Sequence, residues 1–242
     1  MITHTKVKGT ALVTGGAKRI GKEICLTLAH MGYKVAIHYN TSKRQAQQLA
    51  TTICRQGGEG YAFQCDLSNE GQTQQLVSNV HKKYAKLNLL INNASIFEPS
   101  RIKSDVSILH HHFAINLNAP YVLTKQFAQK RRRGHIINIL DTHITQNVTH
   151  YTAYLLSKKA LSELTKLSAV ELAPNIRVNA ISPGLVLPPN NKGNDYLQRL
   201  ARKIPLKTKG NVKQIGQSIK FLIQNTYLTG QIIFNDGGEH LL

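Results

Sequence analysis

Asp141, Tyr154 and Lys158 are the residues whose types and spacing best fit proton chemistry. Lys158 lies four positions after Tyr154, so in a helix the two side chains share a face. An ammonium near a phenol favours the phenolate and lowers the tyrosine pKa, which suits a group that exchanges protons near neutral pH. Asp141 ends the apolar run at 136–140, which is typical of a buried strand. We therefore expect a second proton-handling group close to an activated tyrosine.

The Tyr-x-x-x-Lys spacing alone is weak evidence. It occurs twice more, starting at Tyr39 and at Tyr121, as chance would give in a chain with 31 lysines and arginines. A tyrosine packed beside a surface lysine is the alternative interpretation. Only the pair at 154 and 158 follows a strand that ends in an acid and opens a long helical segment, and this context favours catalysis.

The composition predicts one domain. The chain has 242 residues, and no stretch rich in Pro, Gly or Ser divides it. The three cysteines form no C-x-x-C pair and are typical of free thiols in a reducing compartment, and we expect no metal site. Residues 1–6 carry no apolar signal region, and no apolar run approaches membrane-spanning length. These features predict a soluble, cytoplasmic protein.

The formal net charge of +19 invites a nucleic-acid-binding interpretation. The basic residues are scattered, however, and the cluster at 130–133 falls at a predicted helix end, where cations complement the helix dipole. The sequence contains no nucleic-acid-binding motif. We therefore expect no specific nucleic-acid partner and a positive field that attracts anionic small molecules.

Strand-like and helix-like segments alternate along the chain. Strands are predicted at residues 10–14, 34–39, 60–64, 87–91, 134–140, 176–181 and 231–234. Helices are predicted at residues 20–31, 42–56, 69–85, about 107–129, about 152–172 and 212–224. This order indicates an α/β chain with a doubly wound Rossmann fold, in which helices cover both faces of a seven-stranded parallel sheet.

Distinctive residues stand where the predicted strands end. In doubly wound sheets, ligands bind at the carboxyl ends of the strands, near the point where the strand order reverses. The residues at these ends are Gly15, His38, Asp66, Asn92, Asp141 and Pro183. Their convergence predicts a single site at this edge of the sheet.

The segment Thr-Gly-Gly-Ala-Lys-Arg-Ile-Gly at 14–21 joins the first strand to the first helix. Gly15 and Gly21 allow a tight turn and a close approach of the backbone to a pyrophosphate, and the helix N-terminus favours an anion. A plain strand-to-helix turn is the alternative. The position after the first strand favours dinucleotide binding, with Lys18, Arg19 and Ile20 as further candidate cofactor-binding residues.

The end of the second strand predicts which nicotinamide cofactor is used. A site specific for NAD usually has an acid there, which binds the ribose 2′-hydroxyl. Here the strand is followed by hydroxyls and cations, which suit a 2′-phosphate, so NADPH is favoured over NADH. A solvated helix start is the alternative. The candidate cofactor-binding residues are His38, Tyr39, Asn40 and Ser42.

Polar residues also follow the third and fourth strands. Asp66, followed by Leu67, could meet the adenine amino group or cap the next helix. Small residues after the fourth strand would let the backbone line the cofactor, and they are Asn93, Ala94 and Ser95. Asn116, in the helix that follows, could support a water relay or bond a neighbouring backbone group.

Together these motifs resemble the short-chain dehydrogenase/reductase family over nearly the whole chain, including Pro183-Gly184 and the Asp-Gly-Gly run at 236–238. Within that family the chain is similar to the pteridine reductases and the bacterial dihydromonapterin reductases. The similar motifs are Ala-Lys-Arg-Ile-Gly at 17–21, Asn-Ala-Ser at 93–95 with Phe97 beyond it, and Tyr-x-x-Tyr-x-x-x-Lys at 151–158. Most of the family has a serine where Asp141 stands, and this replacement is the trait that singles out pterin reduction.

The resemblance implies a role for each residue. Lys158 would hold the nicotinamide ribose and tune Tyr154, which with Asp141 would handle the proton that accompanies hydride transfer. Phe97 would stack on the pterin, with ordinary core packing as the alternative, and Arg19 and Ser95 would meet pterin polar atoms or cofactor phosphates. The implied catalytic set is Asp141, Tyr154, Lys158 and Asn116, and the implied substrate-binding set is Arg19, Ser95, Phe97, Asp141 and Tyr154.

The implied activity is NADPH-dependent reduction of a dihydropterin, such as dihydrobiopterin or dihydromonapterin, or of a folate, to the tetrahydro form. The resemblance also implies a homotetramer. One alternative is a carbonyl reductase acting on a 3-oxoacyl thioester, which Asp141 disfavours. Another is a nucleotide-binding regulatory protein without chemistry, which the intact catalytic set disfavours. The segment at 185–209 is expected to cover the substrate, and it is shorter than in the protozoan pteridine reductases.

Overall fold

The seven strands of the protein form one parallel sheet. In the computed structural model, which describes residues 8–130, 133–188 and 193–242, their order is β3-β2-β1-β4-β5-β6-β7. Residues 1–6, residues 131–132 of the basic cluster and residues 189–192 of the expected substrate loop lie outside the described residues. The strands are β1 (Gly9–Val13), β2 (Tyr33–Tyr39), β3 (Glu59–Gln64), β4 (Leu87–Asn92), β5 (Gly134–Ile139), β6 (Ile176–Pro183) and β7 (Ile232–Asn235).

Eight α-helices accompany the sheet in the described part of the chain. They are α1 (Arg19–His30), α2 (Lys43–Arg55), α3 (Glu70–Lys83), α4 (Val106–Phe113), α5 (Ala119–Lys130), α6 (Thr152–Glu171), α7 (Asn194–Ala201) and α8 (Val212–Gln224). Helices α1, α2 and α8 pack on one face of the sheet, and α3, α5 and α6 pack on the other. The predicted Rossmann fold, a single doubly wound domain, is confirmed. No described helix is long and apolar enough to span a membrane.

The apolar runs become strands because the sheet is covered on both faces. All five residues of β1 are buried, and Leu12 packs into one side of the core while Val13 packs into the other. This alternation is the period of a β-strand, and burial on both faces explains why central strands read as continuous apolar runs. The strand order reverses between β1 and β4, so a crevice opens there at the carboxyl ends.

Two helical features differ from the sequence prediction. The helix expected at 107–129 is interrupted by a π-helical turn at Ala114–Asn118, where the Ala119 N–H bonds to the Ala114 carbonyl. The segment expected to be a substrate loop contains α7, whose Leu197 and Ala201 are buried one turn apart. Only eight residues long, α7 gave too little periodicity to be predicted.

His38 fixes the turn between β1 and α1. This buried imidazole accepts a hydrogen bond at Nδ1 from the Gly15 N–H, at 3.0 Å, and its Nε2 lies 3.0 Å from the Cys65 carbonyl oxygen. The two contacts require a neutral ring that carries its proton on Nε2. Burial, the largest cause, lowers the His38 pKa to about 4. His38 therefore ties the carboxyl ends of β1, β2 and β3 together.

The first prediction concerns the replacement of Gly21 by alanine. A Cβ there would collide with the Gly15 carbonyl oxygen and lie 2.8 Å from Asn93 Nδ2, so the turn would have to shift. We expect Gly21→Ala to lower the free energy of unfolding by ~1–3 kcal/mol, measured by urea denaturation. Gly71→Ala is the matched control, because a Cβ in that first helical turn meets only Asn69 Oδ1, at 3.4 Å. Equal stability of the two variants would contradict the tight-turn explanation.

The second prediction concerns pH. Because the His38 pKa falls from 6.5 to about 4 on folding, the unfolded chain binds its proton first as the pH drops. The free energy of unfolding should therefore decline between pH 6.5 and about 4, by at most ~1.4 kcal/mol per pH unit for this one group. His38→Gln should make the decline shallower, and His30→Gln, at an exposed position, should not. Parallel curves for His38→Gln and wild type, from denaturation at several pH values, would show that His38 does not contribute.

Candidate active site

A cavity of about 780 Å³ opens at the carboxyl ends of the strands. Its volume lies in the range of small-molecule sites. It extends from the β2 side, at Asn40, to the β5 side, at Asp141 and Tyr154, and the segment after β6 borders it. Five of the six strand-end residues expected to converge there line it, and the exception is Asn92, whose buried amide donates to Asn138 Oδ1 at 2.8 Å.

Most of the residues predicted to bind a cofactor line this cavity. The lining includes Gly15, Lys18, Arg19, Ile20, Gly21, His38, Asn40, Asp66, Leu67, Asn93, Ala94, Ser95, Lys158, Pro183 and Gly184. Tyr39 and Ser42 do not line it. Tyr39 is buried in the core, because alternation along β2 turns it away from the cavity, and Ser42 directly precedes α2.

Asn93 joins the ends of β1 and β4. Its side-chain amide donates to the carbonyl oxygens of Thr14, at 2.9 Å, and Gly15, at 3.2 Å. In return, Thr14 Oγ1 accepts the backbone N–H groups of Asn93 and Ala94. These bonds pair the polar groups of the turns that follow β1 and β4, and so they hold the floor of the cavity in a fixed shape.

Asp66 does not cap the following helix, so that alternative is wrong. Asn69 caps α3 instead, by accepting the Gln72 N–H. Asp66 Oδ1 accepts hydrogen bonds from the Ser68 N–H and Oγ, at 2.9 and 2.8 Å. These bonds from Ser68, the side-chain bond first, lower the Asp66 pKa. The carboxylate is thereby held in a turn at the rim of the cavity.

Asn116 lies inside the π-helical turn and outside the cavity lining. Its amide accepts the Ile96 N–H at 3.0 Å and donates to the Ile96 carbonyl and to Ser157 Oγ. These three bonds occupy the amide and fasten the segment after β4 to α6. The backbone-bonding alternative is therefore what the structure has, and both amide hydrogens of Asn116 are donated within the protein.

Asp141 and Tyr154 are in direct contact. Tyr154 Oη donates to Asp141 Oδ2 at 2.7 Å, and the Ser182 hydroxyl donates to the Asp141 backbone carbonyl. Lys158 is 2% exposed, and its Nζ donates to the Ile139 carbonyl oxygen at 2.8 Å and lies 5.9 Å from the centre of the Tyr154 ring. The three residues therefore meet as their spacing predicted, with the lysine on the backbone of β5.

The expected effect on the Tyr154 pKa is wrong. Burial, and then the charge and hydrogen bond of Asp141, raise the Tyr154 pKa well above its ordinary value. The spacing from Tyr154 to Lys158 could not predict this, because it carries no information on the Asp141 carboxylate that accepts the phenolic hydrogen bond. Burial lowers the Lys158 pKa to about 8, against the opposing charge of Asp141. Tyr154 is therefore held as a protonated phenol, a proton donor.

Phe97 is not a core residue, so core packing is excluded as its role. Its side chain is 48% exposed at the cavity. Its ring stacks on Tyr151, with centroids 4.2 Å apart, and meets the edge of Tyr154 at 4.7 Å. The start of α6 is held near it by Ser100, whose Oγ accepts the Ala153 N–H. These aromatic rings give the mouth of the cavity a flat apolar wall.

Arg19 adopts a backbone conformation that is uncommon for a side chain of its size. Its φ is +54°, in the left-handed region, which costs of order 1 kcal/mol for a residue other than glycine. The guanidinium donates to the Pro188 carbonyl oxygen at 2.7 Å. Arg19 thus links the glycine turn to the segment that follows β6, at the edge of the cavity.

Two residues of the site were missed from the sequence. His143 Nδ1 lies 2.8 Å from Asp141 Oδ1, which also accepts the His143 N–H at 2.9 Å, and Glu239 lies beyond His143. Both line the cavity. The available signals were the histidine two positions after Asp141 and the glutamate in the Asp-Gly-Gly-Glu run. The described residues contain no group of histidine, cysteine and acidic side chains placed to hold a metal ion.

Comparison with known proteins identifies the family. A family model described as enoyl-(acyl carrier protein) reductase matches residues 15–240. Pteridine reductase 1 of Leishmania tarentolae is 31% identical, with 99% of each chain covered, and the 3-oxoacyl-[acyl-carrier-protein] reductase FabG of Staphylococcus epidermidis is 30% identical, with 96% of this chain and 99% of the relative covered.

Two solved structures share the fold closely. FolM alternative dihydrofolate reductase 1 from Brucella suis, in complex with NADP, has a TM-score of 0.93 at 36% identity and covers 97% of this chain and 96% of its own. The Brucella canis protein, also complexed with NADP, has a TM-score of 0.93 at 35% identity and covers 98% and 95%. With the family model spanning nearly the whole chain, this protein belongs to the short-chain dehydrogenase/reductase family.

Proposed function

We propose that this chain is an NADPH-dependent pteridine reductase that reduces a dihydropterin or a dihydrofolate to the tetrahydro form. The observation that carries the proposal is the hydrogen bond between Tyr154 Oη and Asp141 Oδ2, at 2.7 Å. A carboxyl group at this position can take up and release a proton, which a serine hydroxyl cannot do near neutral pH. Reduction of a C=N bond needs that proton at the nitrogen.

The cavity suits NADP(H). The end of β2 offers Asn40 and no carboxylate, and the Asp66 carboxylate already accepts two hydrogen bonds from Ser68. Lys18 and Arg19 line both the cavity and an adjoining groove that also contains Lys22, Arg44 and Arg55. This excess of cations favours a 2′-phosphate over a bare ribose hydroxyl. When bound, NADPH supplies the hydride.

The chain's own residues supply the proton and hold the substrate. Tyr154, with its raised pKa, presents a phenolic proton at the cavity. The buried Lys158 places a cation behind the phenol and stabilises the negative charge that develops when the proton leaves. The flat wall formed by Phe97 and Tyr151 fits a planar heteroaromatic ring such as a pterin. The pteridine reductase and dihydrofolate reductase names of the relatives support this substrate class.

Reduction of a 3-oxoacyl thioester is the second candidate. It is favoured by the FabG relative, at 30% identity, and by the description of the family model. The Asp141–Tyr154 contact disfavours it, because by resemblance most of the family has a serine, and not a carboxyl group, at this position. We therefore rank it below pterin reduction.

We also propose a homotetramer. Helix α6 exposes Leu156, Leu167 and Val170, and α5 exposes Tyr121. Exposed apolar side chains on two long helices are typical of surfaces buried between subunits. Light scattering at micromolar concentration should give four times the mass of the chain, and a monomeric mass would refute the proposal.

The proposed function predicts a definite substrate profile. NADPH should be oxidised with dihydrobiopterin, dihydromonapterin or dihydrofolate at a higher kcat/KM than with acetoacetyl thioester, and faster than NADH with each. Asp141→Asn should reduce pterin turnover by ~10²–10⁴-fold, and Tyr154→Phe at least as much. Asp141→Ser should lose pterin reduction and gain carbonyl reduction.

Asp105→Asn is the matched control for the removal of a carboxylate. Asp105 caps α4 through the Ser107 N–H, away from the cavity, and asparagine caps helices equally well. Its kinetics should equal those of wild type. A wild-type rate for Asp141→Asn with dihydropterins across the pH range would mean that Asp141 is structural, and the main argument for a pteridine substrate would fail.

A further inference from the structure

His143 stands between two carboxyl groups of the candidate site. Its Nδ1 lies 2.8 Å from Asp141 Oδ1, and its Nε2 lies 3.7 Å from Glu239 Oε1. Since the other oxygen of Asp141 accepts the Tyr154 proton, the four side chains form one row from the phenol to the C-terminal turn. The imidazole is 37% exposed, so one edge of it can reach water.

Glu239 is held in a position where its charge acts on this imidazole. Its backbone carbonyl accepts a hydrogen bond from Gln146 Nε2 at 3.0 Å, and the 3-10 turn Glu239–Leu241 packs on the turn that contains His143. Its Oε2 is buried and makes no hydrogen bond to the residues that the structure describes, and a Cβ at Gly184 would lie 2.8 Å from it. With 11% of its side chain exposed, Glu239 is screened little by solvent. Burial, the largest cause, raises the Glu239 pKa, and the charge of His143, 3.7 Å away, acts to lower it.

The charges around His143 favour the imidazolium form. The hydrogen bond to Asp141 is the largest cause that raises the His143 pKa, followed, against the effect of burial, by the charges of Asp141, Glu239 and Asp236. For Asp141, burial raises the pKa, but the bonds and charge of His143 outweigh it and leave the pKa lowered. The proton shared by this pair therefore resides on His143 and not on Asp141.

We propose, on the basis of the proposed function, that His143 is the proton reservoir of the site and that Glu239 keeps it charged. After Tyr154 gives its proton to the substrate nitrogen, the N–H bond at His143 Nδ1 breaks and an O–H bond forms on Asp141. The carboxyl group turns and passes that proton to the phenolate oxygen. The neutral imidazole keeps its proton on Nε2. Once the carboxyl group has turned, Nδ1 takes a proton from a solvent acid, H3O+ or a buffer acid, whose conjugate base stays in the solvent. One proton thus moves from the solvent to the substrate per turnover, and His143 acts through Asp141 as a positioning residue.

The first test reads the imidazole directly. NMR titration of isotope-labelled histidines in the cofactor-free protein gives the His143 pKa in wild type and in Glu239→Gln, which keeps the shape of the side chain. We expect the pKa to fall by at least about half a unit in the variant, because a carboxylate is lost. An unchanged His143 pKa in Glu239→Gln would overturn the role given to Glu239.

The second test is the pH profile of kcat with whichever compound of the pterin, folate and thioester panel is turned over. Wild type should lose activity as His143 deprotonates, and Glu239→Gln should lose it at lower pH. His143→Asn should lower kcat ~10-fold or more, with little change in KM, and added imidazole should restore part of the rate to His143→Gly. A wild-type profile in His143→Asn would overturn the proposal.

His30→Asn is the matched control. His30 is an exposed imidazole at the end of α1, and its Nδ1 lies 2.7 Å from the Leu26 carbonyl oxygen, outside the cavity lining. This variant should retain the wild-type pH profile whatever it does to stability, and a shifted profile would count against a specific relay. The failure of the proposed function would appear separately, as thioester turnover without pterin turnover.

Discussion

A largely buried carboxylate destabilises a protein unless both of its oxygens accept hydrogen bonds, and Asp141, at the end of β5, is such a carboxylate. Tyr154 satisfies one oxygen and His143 the other. To bring His143 there, the chain turns back at once in the 3-10 turn Thr142–Thr145. Tyr154 reaches Asp141 because the start of α6 is held in place. The Ser100 N–H donates to the His150 carbonyl, and the Thr152 N–H donates to the Ser100 carbonyl. The positions of the two turns that border the substrate side of the cavity thus depend on one charged group, the Asp141 carboxylate.

The same carboxylate sets the protonation of its neighbours. Its charge raises the pKa values of Tyr154 and His143, and it partly offsets the burial that lowers the Lys158 pKa to about 8. By resemblance, most of the family has a serine at this position. A serine would remove one hydrogen-bond acceptor, and it would also remove the negative charge that favours the protonated forms of Tyr154, Lys158 and His143. Exchanging a carboxyl group for a hydroxyl at the end of β5 would therefore change the protonation of several side chains of the site.

Much of the fold could be predicted from the sequence because it depends on local pattern. Apolar runs located all seven strands within about two residues, and the α8 helix was predicted at its observed bounds, Val212–Gln224. Residues at strand ends located the cavity because parallel strands all point the same way. The failures have a common physical origin in contacts between distant segments. Glu239 reaches His143 across 96 positions, and the Tyr154 pKa is set by a carboxylate that the helical spacing to Lys158 does not include.

The π-helical turn at Ala114–Asn118 has a further consequence for how the chain can vary. Before the turn, α4 packs against α6, and after it, α5 packs against α3. The wider turn takes up backbone that a regular α-helix would not accommodate, and Asn116 stands in this added length. Because the wider turn takes up about one residue more than a regular α-helical turn, a chain one residue shorter here could run as a regular α-helix whose two halves keep their relative orientation. A single-residue deletion within 114–118 should therefore preserve the packing of α4 and α5, and its cost would fall on the bonds from Asn116 to Ile96 and Ser157.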